Sequence, residues 1–140
     1  MPSLFSRVLA GELPSEIVYA DDVCGVFLSI APVAPGHALV VPRREVDAWL
    51  EAEDGLLTHL TLVARTVGRG QQAAFGCPRV GLLIAGFEVP HLHLHVLPAT
   101  DMAALDITRA VPVDPAELVA PGRALRSALR AAGTAGVPGD

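Results

Sequence analysis

The chain lacks several features that would place it in other classes of protein. It has no lysine, its ten arginines face fifteen acidic residues, and its formal net charge is −5, so it offers no basic surface for a nucleic-acid polymer. Two cysteines are too few for a disulfide scaffold and lack a C-x-x-C spacing. It has neither an apolar run long enough for a membrane span nor the pattern of a signal peptide. We therefore expect a cytoplasmic protein that binds neither membranes nor nucleic-acid polymers.

The apolar residues indicate one folded unit. Hydrophobic residues make up 51% of the 140 residues and charged residues 18%, which excludes disorder for most of the chain. Residues 1–110 are expected to form the domain, and 111–140 a C-terminal helical extension with a flexible, frayed tail.

The spacing of these residues predicts an α+β fold with a mainly antiparallel sheet. Strands are predicted at 17–19, 23–28, 38–41, 80–85 and 89–97, the last ended by Pro98. Helices are predicted at 3–11, at 54–75 with Asp54 as N-cap, and from Asp114 onward, with a kink or split at Pro121-Gly122.

Three of the five histidines lie in one segment, His91-Leu92-His93-Leu94-His95. On a strand, alternate side chains share a face, so the imidazoles would lie roughly 6.6 Å apart on one surface. One interpretation is a polar strand face without a ligand, and a second is a Zn or Fe site built on His-x-His. The third is nucleophilic catalysis, in which one imidazole attacks phosphorus and its neighbours hold the phosphate.

This segment resembles the signature of the histidine-triad (HIT) family of nucleotide hydrolases and transferases. His91 to Leu97 matches its His-φ-His-φ-His-φ-φ pattern, and Pro35 to Pro42 matches the Pro-Gly-His-φ-φ-φ-φ-Pro run of Hint-like members. The resemblance covers residues 3–100. It implies a HIT-like fold: a mainly antiparallel five-stranded sheet, a long helix packed on it, and a C-terminal helix after the HIT domain at 1–110.

The resemblance implies attack on the α-phosphorus of a nucleotide through a covalent nucleotidyl-histidine that water resolves. His93 would be the nucleophile, His95 would contact the phosphate and the departing group, and His91 and His37 would support the site. The substrate would be a nucleoside phosphoramidate, a nucleotidyl ester or a dinucleoside polyphosphate, and no cofactor is implied. The family also implies a homodimer with the long helix and one sheet edge at its interface.

Substrate contacts are implied at two places. An apolar pocket for base and ribose would be formed by Phe5, Val8, Phe27 and Ile30. Backbone N–H groups of the segment that contains Gly86 and Glu88, which is expected to run nearly straight between strands, would face the phosphate. Ser29 stands where Hint-like members carry an acidic residue that holds the ribose.

Many bacterial members hold a structural zinc through a Cys-x-x-Cys near the start, completed by histidines. Ser3 and Ser6 stand at the cysteine positions here, and Glu45 at that of a histidine. This donor set is unsuited to zinc, so no metal is expected. The departures spare the histidines, which favours an active enzyme with an altered substrate. The alternatives are a catalytically weak nucleotide-binding module and a His-coordinated metal site.

Overall fold

The computed structural model describes residues 1–140. Its helices and strands, in chain order, are α1 (Leu4–Leu9), β1 (Ile17–Ala20), β2 (Cys24–Leu28), β3 (Ala38–Pro42), α2 (Asp54–Phe75), β4 (Arg79–Leu83), β5 (Leu94–Ala99) and α3 (Val119–Ala131). The strands form one antiparallel sheet in the order β1-β2-β3-β5-β4. The predicted α+β fold, with a five-stranded antiparallel sheet, a long helix and a C-terminal helix, is confirmed.

The core lies between the sheet and the two longer helices. Helix α2 turns a stripe that includes Leu60, Val63 and Val67 toward the sheet, as its 3.6-residue period requires. From α3, Leu125 and Leu129 enter the same core. Helix α2 begins at Asp54, so the predicted N-cap is displaced by one residue to Glu53. No helix combines the length and apolar character needed to cross a membrane.

The last strand differs from its prediction at both ends. Strand β5 begins at Leu94 instead of Val89: its first pair with β3 is Leu94 opposite Val40, although β3 itself continues to Pro42. Leu92 donates its N–H to the carbonyl of Val46 instead. Pro98 lies inside β5, opposite β4 only, where its missing N–H breaks no pairing with β3. Of His91, His93 and His95, which we call the triad, only His95 therefore lies on the strand.

The C-terminal segment is packed against the domain. A 3-10 turn at Pro115–Leu118 precedes α3, and Pro121 lies in the first turn of α3, where its missing N–H is tolerated. The helical segment therefore changes from a 3-10 turn to an α-helix between Leu118 and Val119, and α3 continues through Pro121 and Gly122 without the predicted split. The tail, for which fraying is predicted, makes two contacts: the carbonyl of Gly136 accepts from Ala20 N–H at 2.9 Å, and Asp140 pairs with Arg126 at 2.6 Å. These contacts hold the tail on β1.

Candidate active site

The hydrogen bonds of His93 determine which of its ring nitrogens carries the proton. Its Nδ1 lies 2.7 Å from the main-chain carbonyl of His91. A carbonyl only accepts, so Nδ1 carries the proton and the neutral ring keeps its lone pair on Nε2. His93 is only 6% exposed. The segment before β5 thus holds one imidazole with a fixed tautomer and one free basic nitrogen.

His91 is buried, and both of its ring nitrogens are engaged. Its Nε2 donates to the carbonyl of Pro42 at 2.7 Å, so its Nδ1 accepts the hydrogen bond from the Ser3 hydroxyl. No ring nitrogen of His91 is left for a ligand. The side chain fastens the pre-β5 segment to β3 and to α1, and its main chain holds His93.

His37 and His95 form a directed pair across β3 and β5. Val33 N–H donates to Nδ1 of His37 at 3.2 Å, so the proton of this ring lies on Nε2. That nitrogen lies 2.9 Å from Nδ1 of His95 and donates to it. The proton of the neutral His95 ring must then lie on Nε2. His95 is consequently a hydrogen-bond donor at its free end, whereas His93 is an acceptor.

Burial keeps these rings neutral. It lowers the pKa of His37 to about 3, with further lowering by charge on His95 and His93. Burial lowers the pKa of His95 to about 4, helped by repulsion from His93, and it also lowers the pKa of His93. The three imidazoles are therefore mainly uncharged near pH 7, so the tautomers described above dominate.

A buried glutamine on α2 supports both sides of the pair. Nε2 of Gln71 donates to the carbonyls of Gly36 and Val96, each at 2.9 Å. These carbonyls belong to the residues next to His37 and His95 in sequence. The sequence indicates this supporting role of Gln71 only by its spacing. It lies three residues after the buried Gly68 and four after the buried Val67, and is thus a polar residue on the apolar stripe of α2.

Two pockets flank His93. One, of about 170 Å³, is lined by His93, His95, Gly86, Phe87 and Glu88, with Ile107 and Thr108. The other, of about 210 Å³, lies between the turn at Asp47–Leu50 and the segment Ile84–Gly86. Gly86 has φ +84°, a left-handed conformation that turns the chain between β4 and the histidines. This segment is therefore not the straight connection expected from the sequence.

The expected base and ribose side chains are only partly brought together. Phe5, Val8 and Phe27 are buried in one small cluster. The ring of Phe5 meets that of His93 edge-on, with centroids 4.9 Å apart. Ile30 is 60% exposed and lines neither pocket beside His93. Of these residues only Phe5 contacts His93, and its buried cluster with Val8 and Phe27 leaves no open pocket at this place.

Ser29 lies beside His37 instead of His93. It lines a separate cavity of about 260 Å³ together with His37, Glu117 and Pro121. Its hydroxyl oxygen accepts from Ala31 N–H at 3.2 Å. Sequence reasoning also missed Ile107 and Thr108, which follow β5 and line the pocket beside His93 and His95.

The triad does not offer three donors to a metal ion. Only His93 and His95 keep a free ring nitrogen, since both nitrogens of His91 are engaged. The three side chains whose ligand atoms do cluster within 4.8 Å are Asp21, Cys24 and His59, at the β1–β2 turn. Asp21 there already accepts from His59 and a tyrosine hydroxyl. A metal site built on the three triad rings therefore has no support in this geometry.

The geometry thus places four histidines, His37, His91, His93 and His95, at or beside the central strands β3 and β5. The HIT domain family model matches residues 10–102, and the chain belongs to this family. An uncharacterized HIT-like protein from Synechococcus elongatus is 34% identical over 106 residues, which cover 72% of this chain and 93% of that protein.

Two solved structures share the fold. One is a Zn-bound histidine triad family protein from Mycobacterium smegmatis, with a TM-score of 0.79 and 23% identity, covering 93% of this chain and 94% of that one. The other is a hypothetical histidine triad nucleotide-binding protein from Sulfolobus tokodaii, with a TM-score of 0.77 and 25% identity over 91% of each chain.

Proposed function

We propose that the protein is a nucleotide hydrolase or transferase that reacts at the α-phosphate through a covalent nucleotidyl-histidine on His93. The observation that carries the proposal is the tautomer of this ring. The bond from Nδ1–H to the His91 carbonyl leaves the lone pair on Nε2, in a ring that burial keeps neutral. A neutral imidazole whose lone pair is available is a competent nucleophile near pH 7.

The reaction balances with water as the only second substrate. Nε2 of His93 forms a bond to the α-phosphorus, and the bond to the leaving group breaks with its electron pair on the departing atom. Water then attacks the same phosphorus, and the N–P bond breaks to return the lone pair to Nε2. In the net reaction the hydroxyl of water stays on phosphorus and its proton goes to the departing group. An acceptor other than water makes the same sequence a transfer.

The neighbouring groups are suited to hold the phosphoryl oxygens. Nε2–H of His95 is a donor at the pocket that His93 also lines, and His37 fixes its direction. The main chain around Gly86 and Glu88 borders the same pocket and is a second source of N–H donors. We assign His91 and His37 to positioning, because their ring nitrogens are engaged within the protein.

The proposed substrates are a nucleoside phosphoramidate, a nucleotidyl ester or a dinucleoside polyphosphate. A nucleotide is supported by family membership and by the name of the Sulfolobus tokodaii protein, a histidine triad nucleotide-binding protein. Phe5, Val8, Phe27 and Ile30 remain the proposed neighbours of the base, and Ser29 that of the ribose. We propose that the enzyme works in the cytoplasm without a cofactor and without a nucleic-acid polymer as partner.

Intact-protein mass spectrometry tests the nucleophile. The protein is mixed briefly with adenosine and guanosine phosphoramidates, and the reaction is stopped without acid. Acid is avoided because it would hydrolyse a phosphohistidine-type bond. The expected result is an adduct of nucleotidyl mass in the wild type and in His59→Ala, and none in His93→Ala. His59 is the matched control because it contacts Asp21 and lies outside the proposed site.

Other outcomes have definite meanings. An adduct that survives His93→Ala refutes the assignment of the nucleophile. Nucleotide binding of equal strength in wild type and variant, with no adduct or turnover in either, favours the binding-module alternative. Activity that requires an added divalent ion would favour the metal alternative instead.

We further propose a homodimer that joins two sheets at β4. This strand has a partner on one side only, and its Leu82 is 51% exposed. Leu62 on α2 is exposed to a similar degree, at 48%. The opposite edge, β1, is covered where Ala20 bonds Gly136. Exposed apolar side chains at an unpaired edge favour association.

Light scattering tests the dimer. The expected mass is twice 14.6 kDa, and Leu82→Arg should reduce it to one chain. Val111→Arg, at another exposed apolar position, should leave it unchanged. A wild-type mass of a single chain at micromolar concentration would contradict the proposal.

A further inference from the structure

A set of hydrogen bonds joins α1, the segment after β3 and the histidines. The Ser3 hydroxyl caps α1 by accepting from Ser6 N–H at 3.0 Å, and it donates to Nδ1 of His91. Oε1 of Glu45 accepts from the Ser6 hydroxyl at 2.7 Å and from the N–H of Ser3. We call Ser3, Ser6, Glu45 and His91 the clamp. Every member of it bonds at least one other.

The family resemblance implies that three members of the clamp, Ser3, Ser6 and Glu45, stand where many bacterial HIT proteins carry zinc ligands. The Mycobacterium smegmatis protein is Zn-bound, so the fit of zinc to these side chains needs to be considered. Ser3 and Ser6 supply hydroxyls in place of thiolates, which are the ligands that structural zinc favours. Both ring nitrogens of His91 are already used. The clamp therefore does not fit a structural zinc ion.

We propose that the clamp replaces the metal, and that Ser3 and Glu45 are positioning residues that hold His91, and through it the nucleophile, in place. The proposal rests on the proposed function only for its kinetic test. Glu45 is the residue through which the segment after β3 holds the start of α1, because its Oε1 accepts from the N–H of the N-cap residue Ser3 and from the hydroxyl of Ser6 in the first turn. Ser3 passes this constraint to the ring of His91.

Two contacts carry the constraint from the clamp to His93. The main-chain carbonyl of His91 is the acceptor for Nδ1–H of His93, so a shift of His91 changes the tautomer and direction of the nucleophile. Phe5 lies on α1 between the two serines of the clamp, and its ring meets His93 edge-on at 4.9 Å. A loosened α1 would therefore disturb His93 from two sides.

The first test is spectroscopic and needs no turnover. In ¹⁵N-labelled protein, the Nδ1 resonance of His91 should report an accepted hydrogen bond in the wild type. It should move toward that of a free imidazole nitrogen in Ser3→Ala and return in Ser3→Thr, which keeps the hydroxyl. A resonance that is the same in wild type and Ser3→Ala would overturn the proposal, even if no substrate is ever found.

The second test is kinetic. Ser3→Ala and Glu45→Ala should lower kcat between about tenfold and 100-fold, as small misplacements of reacting groups do, with KM within about twofold. Glu45→Gln keeps an acceptor oxygen and should retain most of the activity. Glu12→Ala removes the same charge from a residue that contacts α1 through Arg7, and it should behave as wild type. Equal losses in Glu12→Ala and Glu45→Ala would overturn the proposal.

The third test concerns the metal. Purified protein should contain no stoichiometric zinc, and a chelator should not change kcat. The triple variant Ser3→Cys, Ser6→Cys, Glu45→His should bind one zinc ion per chain, since the Ser3 hydroxyl lies within hydrogen-bond distance of His91 and of Ser6, and Ser6 within that distance of Glu45. One zinc per wild-type chain, lost together with activity on chelation, would overturn the proposal. If the wild type has no turnover but Ser3→Ala moves the His91 resonance, the proposed function fails and the clamp stands.

Discussion

The buried histidines should make the folded state sensitive to mild acid. His37 is 2% exposed, and burial lowers its pKa to about 3. In the unfolded chain its pKa returns to about 6.5. Below pH 6.5 the unfolded state therefore binds a proton that the folded state excludes, so the free energy of unfolding decreases as the pH falls toward 3.

The size of the effect follows from proton linkage. Lowering the pH from 7 to 5 should reduce the free energy of unfolding by about 2 kcal/mol through His37 alone. The pKa of His95, lowered to about 4, acts in the same direction. A loss of this size is readily measured, since small domains are stabilised by roughly 5 to 15 kcal/mol in total.

Urea denaturation at pH 7, 6 and 5 measures the effect, at one protein concentration so that any association is constant. His37→Gln supplies the comparison, because glutamine has both a donor and an acceptor for its neighbours His95 and Val33 but does not titrate. The variant should lose about 2 kcal/mol less than the wild type between pH 7 and 5. An equal loss in both proteins would refute the reasoning.

Three further predictions concern the site and its support. In a plot of kcat/KM against pH, the midpoint of the decrease on the acidic side should lie below pH 6.5, because burial lowers the pKa of His93 and keeps the nucleophile unprotonated. A midpoint at or above pH 6.5 would contradict this. Gln71→Leu deprives two buried carbonyls of their donor and should cost about 2 kcal/mol in urea denaturation; an unchanged midpoint would count against the support role. Gly36→Ala should cost about 1 to 3 kcal/mol, measured in the same way, because Gly36 has φ +89° and a Cβ would meet the Phe75 ring. Wild-type stability in that variant would show that the turn tolerates a side chain.

The regular elements could be predicted because their causes are local. The helix at 54–75 is observed with the same bounds, since a 3.6-residue apolar period identifies a helix that packs on a sheet. The start of β5 could not be predicted. The alternation of histidine and leucine continues unchanged through 91–95, but the pairing with β3 begins only at Leu94, because Leu92 donates its N–H to the carbonyl of Val46. That cause lies in a distant part of the sequence.

The histidines could be found from the sequence, but their chemistry could not. Spacing identifies His91, His93 and His95, whereas the tautomer of each ring depends on which carbonyl or N–H lies beside it. These partners come from loops and strand ends that only the fold brings together. For the same reason the tail at 133–140 was expected to fray, although Arg126 on α3 fastens its last residue, Asp140.

The structure also separates the groups that would carry the reaction from those that would select the substrate. The nitrogens that face the pocket, Nε2 of His93 and of His95, are fixed by contacts with the interior of the protein. Ser29, which departs from the acidic residue of Hint-like members, lines a different cavity, beside His37. The pocket that His93 and His95 share is instead lined by Phe87–Glu88 and Ile107–Thr108. Because these two segments can change without disturbing any ring tautomer, substrate selection should reside in them more than in Ser29.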